Sequence, residues 1–231
     1  MAHARMTRGS QGGDRADERD AMVRHVAELM VATAPETGIA GLDPQVRGAM
    51  EAVPRHCFVP VGKQARAYAD SPLTIGHGQT ISQPFIVALM TQLAALSSSS
   101  IVLEVGTGSG YQAAVLAALA RQVYTVEIVP ELARSSASVL RELGVANVEV
   151  RCGDGYAGWE EHAPFDVILV TAATPEVPPP LVSQLAEGGR MVLPLGRASQ
   201  TQDLVLLQKR ADGTIETMHE LPVAFVPLTR G

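Results

Sequence analysis

Aromatic residues are scarce in this 231-residue chain: one Trp, four Tyr and four Phe, 4% of the total. Apolar residues still reach 46%, so the core is expected to be aliphatic and rich in alanine. Cysteine is scarcer still, with Cys57 and Cys152 alone. They form neither a Cys-x-x-Cys pair nor a metal-ligand cluster, so no metal is expected and both thiols read as reduced and buried. No apolar run reaches the roughly 20 residues that a bilayer-crossing helix needs. No basic block occurs, and the formal net charge is −6, so neither nucleic acid nor membrane is expected as a partner. Residues 1–20 lack the apolar stretch of a secretory signal. They read as a disordered tail ahead of one domain over 21–231. A cytoplasmic monomer is expected.

What is present becomes periodic near Ala21, where Met22, Val26, Leu29 and Met30 share a helical face. Glu36–Leu42 reads as a loop. Asp43-Pro44 caps a second helix whose stripe is Val46, Met50 and Val53, and Pro54 ends it. Residues 54–84 show little periodicity; a stretch this long without clear elements is often functional. Pro84–Leu96 reads as a helix. From Ile101 the pattern alternates. Strands are expected at Ile101–Val105, Val123–Val126, Val148–Arg151, Asp166–Val170 and Arg190–Pro194. Helices are expected at Tyr111–Ala120, Glu131–Leu143 with Gly144 after it, and Pro179–Ala186 before Gly188-Gly189. Such alternation gives a mostly parallel α/β sheet. Asp203–Lys209 and Thr214–His219 flank Ala211-Asp212-Gly213 as a hairpin, and Val223–Leu228 reads as a further strand.

The chemistry concentrates after the first of these strands. Glu104-Val105-Gly106-Thr107-Gly108-Ser109-Gly110 joins a buried strand to a helix, and ligands of open α/β sheets bind at such turns. The dinucleotide fingerprint wants a third glycine three residues after the second, and that position is Tyr111. No Gly-Lys-Ser/Thr phosphate loop is present. An acid followed by Gly-x-Gly-x-Gly instead resembles the first motif of class I methyltransferases, which bind S-adenosylmethionine. Glu127, ending the next strand about twenty residues on, suits the ribose hydroxyls. Asp154, in Gly153-Asp154-Gly155, follows the third strand, beside the adenine in that family.

Val53–Pro60, Ala67–Asp70 and above all Gly78-Gln79-Thr80-Ile81-Ser82-Gln83-Pro84 closely resemble the protein-L-isoaspartate O-methyltransferase family. The resemblance continues through Leu103–Leu116, Gly153–Trp159, Pro164-Phe165-Asp166, Thr171-Ala172-Ala173 and Phe225-Val226-Pro227-Leu228. It implies a class I, Rossmann-like fold: a mostly parallel seven-stranded sheet, helices on both faces, an antiparallel C-terminal edge and a modified order of late strands. Within it, 21–100 is the helical and substrate-binding region and 101–231 the core. It implies transfer of the S-adenosylmethionine methyl to the carboxylate of isoaspartyl residues in damaged proteins and peptides, leaving S-adenosylhomocysteine. Ser82 matches the family's active-site serine, with substrate contacts implied at Gln79, Thr80, Ile81 and Ser82. Cofactor contacts are implied at Glu104, Gly106, Thr107, Gly108, Gly110, Glu127, Ile128, Asp154, Gly155 and Thr171. His56 and His77 read as structural or surface residues, Trp159 as packing and Asp166 as structural. The alternatives are a methyltransferase for an aspartyl carboxylate of a dedicated peptide, a non-catalytic S-adenosylmethionine binder, and an NAD-dependent dehydrogenase.

Overall fold

The computed structural model describes residues 14–197 and 200–230. Its centre is a seven-stranded sheet. Strand β3 (Ile101–Val105) is flanked by β4 (Gln122–Glu127) and β6 (Phe165–Val170) in parallel register. β5 (Val148–Cys152) and β7 (Leu185–Leu195) extend it in parallel, and β8 (Gln202–Lys209) and β9 (Ile215–Val223) close it antiparallel. The order is β5-β4-β3-β6-β7-β8-β9, so the last two strands lie in chain order along the edge.

Each face of the sheet is covered, as the near-continuous apolar strands require. On one face Val102, Val123 and Leu169 meet α1 (Ala16–Ala32), α3 (Pro44–Ala52), α4 (Pro84–Ala94), α5 (Tyr111–Ala117) and α6 (Pro130–Glu142). On the other, Leu103, Val105 and Ile168 meet Trp159 and Leu181 of α7 (Pro179–Gln184). Helix α4 is apolar nearly all round, with Phe85, Val87, Ala88, Leu89 and Met90 all buried, which marks an interior helix. Asp43 caps α3 by accepting from Gln45 N and Val46 N. Asp166 accepts from Ile101 N at 2.7 Å and ties the starts of β3 and β6.

Several boundaries differ from expectation, each for a local reason. Helix α1 starts at Ala16, ahead of Ala21. Its charged first turn is docked rather than solvated: buried Arg19 donates to Glu51 O at 2.6 Å, and Arg15 donates to Gln64 O and Glu18. Residues 1–13 of the expected tail lie outside the described residues. A short helix, α2 (Ala34–Thr37), overlaps the expected loop. The aperiodic 54–84 stretch holds 3-10 turns at Arg55–Phe58 and Val61–Arg66, then a two-stranded ribbon of β1 (Leu73–Gly76) and β2 (Gln79–Ile81). Elements this short have no period to read. Helix α7 stops at Gln184, and β7 runs through Gly188-Gly189 instead of starting after them, with a register shift opposite Phe165 and Val167. Strand β9 ends at Val223, so the strand expected over Val223–Leu228 does not form. Pro222 and Pro227 each lack a ladder donor, and 224–228 leave the sheet and touch Ala173. Cys57 is buried as expected, but Cys152 is exposed at the end of β5, because β5 is the sheet's outer strand. Along that open edge exposed Glu149 and Arg151 alternate with half-buried Val148 and Val150.

Candidate active site

The turn after β3 is shaped by what stands opposite it. Gly106 has φ +96°, and a Cβ there would overlap Thr171 Oγ1, which donates to Gly106 O at 2.6 Å. Across the groove, a Cβ on Gly155 would overlap Val105 Cγ1. The two glycines keep open a trough at the carboxyl ends of β3, β4 and β6. Gly110 serves elsewhere. It begins α5 against Ser136 and Leu140 of α6 and does not line the trough.

The three acids occupy different depths. Glu127 lines the trough, with Oε2 accepting from Gly108 N at 2.7 Å and Oε1 from Val129 N at 3.0 Å. Asp154 is exposed and accepts from Tyr156 N, holding the turn that presents Gly155. Glu104 is fully buried behind the loop. Thr125 Oγ1 donates to its Oε2 at 2.5 Å, and Thr107 Oγ1 lies 2.7 Å from Thr125 Oγ1. Its Oε1 has no partner among the described residues. Burial, with Glu127 nearby adding to it against the Thr125 bond, pushes the Glu104 carboxyl up to about 8.

This shift has a signed consequence. The folded protein holds the Glu104 proton more tightly than the unfolded chain, so the associated stability is full below the ordinary value near 4.5 and drains as pH rises toward 8. Glu104→Gln is expected to flatten that loss. Urea unfolding at pH 5, 6.5 and 8 checks it; parallel curves for both proteins would refute it.

Two cavities meet at the site. The trough is lined by Gln79, Thr80, Gly106, Gly108, Glu127, Ile128, Gly155 and Thr171, and is closed on its outer side by Val226–Thr229. A second cavity, of about 610 Å³, opens beside it past Thr80, Ser82 and Thr171. Thr80 and Thr171 face both. A small cleft between them touches Ile81, Ser82 and Thr107. Of the residues expected to act together, only Glu104, Gly110 and Asp154 stand outside these walls.

Ser82 sits in a pinned turn. Buried Arg55 donates from Nη2 to Ser82 O at 2.7 Å and from Nε to Ala67 O at 2.8 Å, with its guanidinium 4.8 Å from the Tyr111 ring centre. Burial lowers the Arg55 pKa and holds the Tyr111 phenol up at about 12. On the next residue, Asp70 accepts from Gln83 Nε2 at 2.6 Å and from Phe85 N at 2.9 Å. The hydroxyls of Thr80 and Ser82 are not engaged by any of the described residues. Arg55, Asp70 and the 221–229 segment were not anticipated as site residues. The Val53–Pro60, Ala67–Asp70 and Phe225–Leu228 stretches of the family resemblance carried their signal. His56 pairs with Tyr68 OH at 2.7 Å, and His77 is exposed in the β1–β2 turn, so neither faces the cavities.

The trough suits S-adenosylmethionine. The buried Glu104 carboxyl has an oxygen without a partner among the described residues behind the glycine loop, and a cationic group seated in front of that loop would draw it toward its ionised form. A carboxylate on the wall can accept from a vicinal diol. No group of three or more His, Cys, Asp or Glu that could hold a metal occurs among the described residues, and no described helix is long and apolar enough to cross a membrane.

Comparison with known proteins agrees over nearly the whole chain. A family model described as Protein-L-isoaspartate(D-aspartate) O-methyltransferase (PCMT) matches residues 26–231. The protein-L-isoaspartate O-methyltransferase 2 of Polaromonas sp. is 58% identical over 208 residues, 90% of this chain and 99% of that protein. The protein-L-isoaspartate O-methyltransferase 1 of Cupriavidus necator is 54% identical over 213 residues, 92% of this chain and 82% of that one. A solved protein-L-isoaspartate O-methyltransferase superposes with a TM-score of 0.77 at 29% identity, covering 90% of this chain and 65% of that chain. A Plasmodium falciparum protein assigned to the same activity, in complex with S-adenosyl-L-homocysteine, gives 0.75 at 26% identity, covering 92% of this chain and 99% of that one. With its fold, its glycine trough and these relatives taken together, this chain belongs to the protein-L-isoaspartate(D-aspartate) O-methyltransferase family.

Proposed function

We propose that the chain transfers the methyl group of S-adenosylmethionine to the free carboxylate of L-isoaspartyl residues in damaged proteins and peptides, with Thr80 and Ser82 holding that carboxylate. The observation that carries the residue assignment is the pair of unengaged hydroxyls where the two cavities meet. When bound, S-adenosylmethionine supplies an electrophilic methyl on a cationic sulfur. The acceptor carboxylate is already ionised at neutral pH, so the chain need supply no strong base. Thr80 and Ser82 donate to one carboxylate oxygen and leave the other free to attack. Orientation of this kind is worth several kcal/mol of barrier. The resulting ester is attacked by the following backbone nitrogen, methanol leaves, and the succinimide hydrolyses partly to aspartate.

Glu127 holds the ribose hydroxyls, and Ile128 and Gly155 flank the base, with Asp154 fixing that turn. The loop Gly106–Gly108 receives the amino-acid tail, whose positive charge draws Glu104 behind the loop toward its ionised form. Thr171 borders the transfer point from the donor side, and Gln79 and Ile81 shape the acceptor ribbon. In one domain, residues 21–100 supply Thr80 and Ser82 and half of the acceptor cavity's wall, and 101–231 supply the other half and most of the donor side. Action as a monomer is part of this reading. An acidic balance and a cysteine content of only two support a cytoplasmic location and no nucleic-acid or membrane partner.

The test uses radiolabelled S-adenosylmethionine with paired peptides that differ only in isoaspartate or aspartate at one site. Base-labile label on the isoaspartyl peptide alone is expected; equal labelling would overturn the acceptor assignment. Ser82→Ala is expected to lower turnover by about 10- to 100-fold, the scale of one lost orienting hydrogen bond of 1.5–3 kcal/mol to a charged group. Donor affinity should stay within about threefold. A matching loss of donor affinity would place Ser82 in the cofactor site instead.

A further inference from the structure

The larger cavity has a polarity gradient along its length. Its inner end presents the hydroxyls of Thr80, Ser82 and Thr171. The rest of the wall is mostly apolar, with Leu29 of α1, Phe85 and Ile86 of α4, and Leu221, Val223 and Phe225 near the end of β9, and it carries the uncharged polar groups of Thr33, Gln83 and Thr201. No charged residue lines it among the described residues. In a chain with 42 formally charged side chains (18 basic, 24 acidic) that is a selective exclusion. Its volume of about 610 Å³ exceeds what a single carboxylate fills and falls within the range of built ligand sites.

We propose that this cavity is a subsite for an uncharged, apolar side chain on a residue adjoining the isoaspartyl residue. The inference rests on the acceptor role proposed for Thr80 and Ser82. The occupant follows from continuity: a residue adjoining a carboxylate held at the hydroxyl end can lay its side chain along these mostly apolar walls. An aliphatic or aromatic side chain removes apolar surface from water there. A lysine or glutamate would be desolvated without a counter-charge, so its binding would weaken. Leu29 and Thr33 make the N-terminal helix part of the selecting wall.

The experiment measures kcat/KM for isoaspartyl peptides that share one sequence but carry Leu, Phe, Gly, Lys or Glu immediately before, and in a second set immediately after, the isoaspartate. At one of the two positions Leu and Phe are expected to exceed Lys and Glu by about tenfold or more, the scale of hydrophobic-pocket discrimination. Leu29→Glu is expected to move the preference toward Lys at that same position. Where Leu29→Glu does not fold, Thr201→Glu, exposed on the same rim, serves instead. Rates indifferent to both flanks, or a preference for charge in the unaltered enzyme, would overturn the subsite while leaving the isoaspartyl reading intact. No methylation of any isoaspartyl peptide would overturn both.

Discussion

Replacing Glu127 with alanine is expected to weaken S-adenosylmethionine binding by about 100-fold or more, read as Kd by titration calorimetry. The carboxylate is nearly buried at the rim of the trough and already accepts from Gly108 N and Val129 N. Its loss therefore acts twice. The ribose hydroxyls lose a charged acceptor, and hydrogen bonds to charged groups contribute about 1.5–3 kcal/mol each. The glycine loop also loses the group that fixes Gly108. Two such bonds correspond to at least two decades of affinity. Glu127→Gln separates the contributions, because an amide has a single acceptor oxygen and cannot serve both amides as the carboxylate does. It is expected to fall between wild type and alanine. Unchanged donor affinity in the alanine variant would refute the ribose assignment.

Arg55→Met is expected to lower kcat/KM for an isoaspartyl peptide by about 100-fold, the scale of a displacement of about 1 Å at a reacting group. Donor affinity should stay within about threefold. Methionine fills similar space but offers no donor to Ser82 O or Ala67 O. Each buried carbonyl left unpaired costs about 1–3 kcal/mol. Removing a buried cation that has no bonded carboxylate offsets part of this. A net loss near 2 kcal/mol corresponds to a melting shift of about 4–8 °C. The split between the two substrates is the informative readout. Arg55→Lys, which keeps the charge but lacks the fork that reaches both carbonyls, should rescue stability more than turnover. Parallel losses for donor and acceptor would reduce Arg55 to a purely structural residue.

How much of this was legible in the sequence depended on whether the physics was local. Ile101–Val105 and the glycines after it could be read because a buried parallel strand and a tight turn each leave a short-range pattern. Asp43 could be read as a cap because its acceptors are two and three residues away. The start of α1 could not, because Arg19 is held by Glu51 O, 32 residues distant. Nor could the anchoring of Ser82 by Arg55, 27 residues away, or the placement of 226–229 over the trough. The order of β8 and β9 came only through family resemblance, since hairpin periodicity does not say which strand lies outermost. Gly110 shows the converse limit. Its spacing matches a cofactor loop, yet its neighbours are side chains of α6.

The open edge at β5 acquires meaning from the company such an enzyme keeps. A damaged chain that partly unfolds exposes unpaired strand edges. An edge of alternating valines alone would invite one of them to add as an eighth strand and seed a mixed aggregate. Glu149 and Arg151, alternating with Val148 and Val150, would have to be carried into that junction, so the incoming strand is turned away. On the opposite edge Pro222 withholds an amide from β9. A protein that must handle failing molecules without sticking to them is thereby protected at both ends of its sheet.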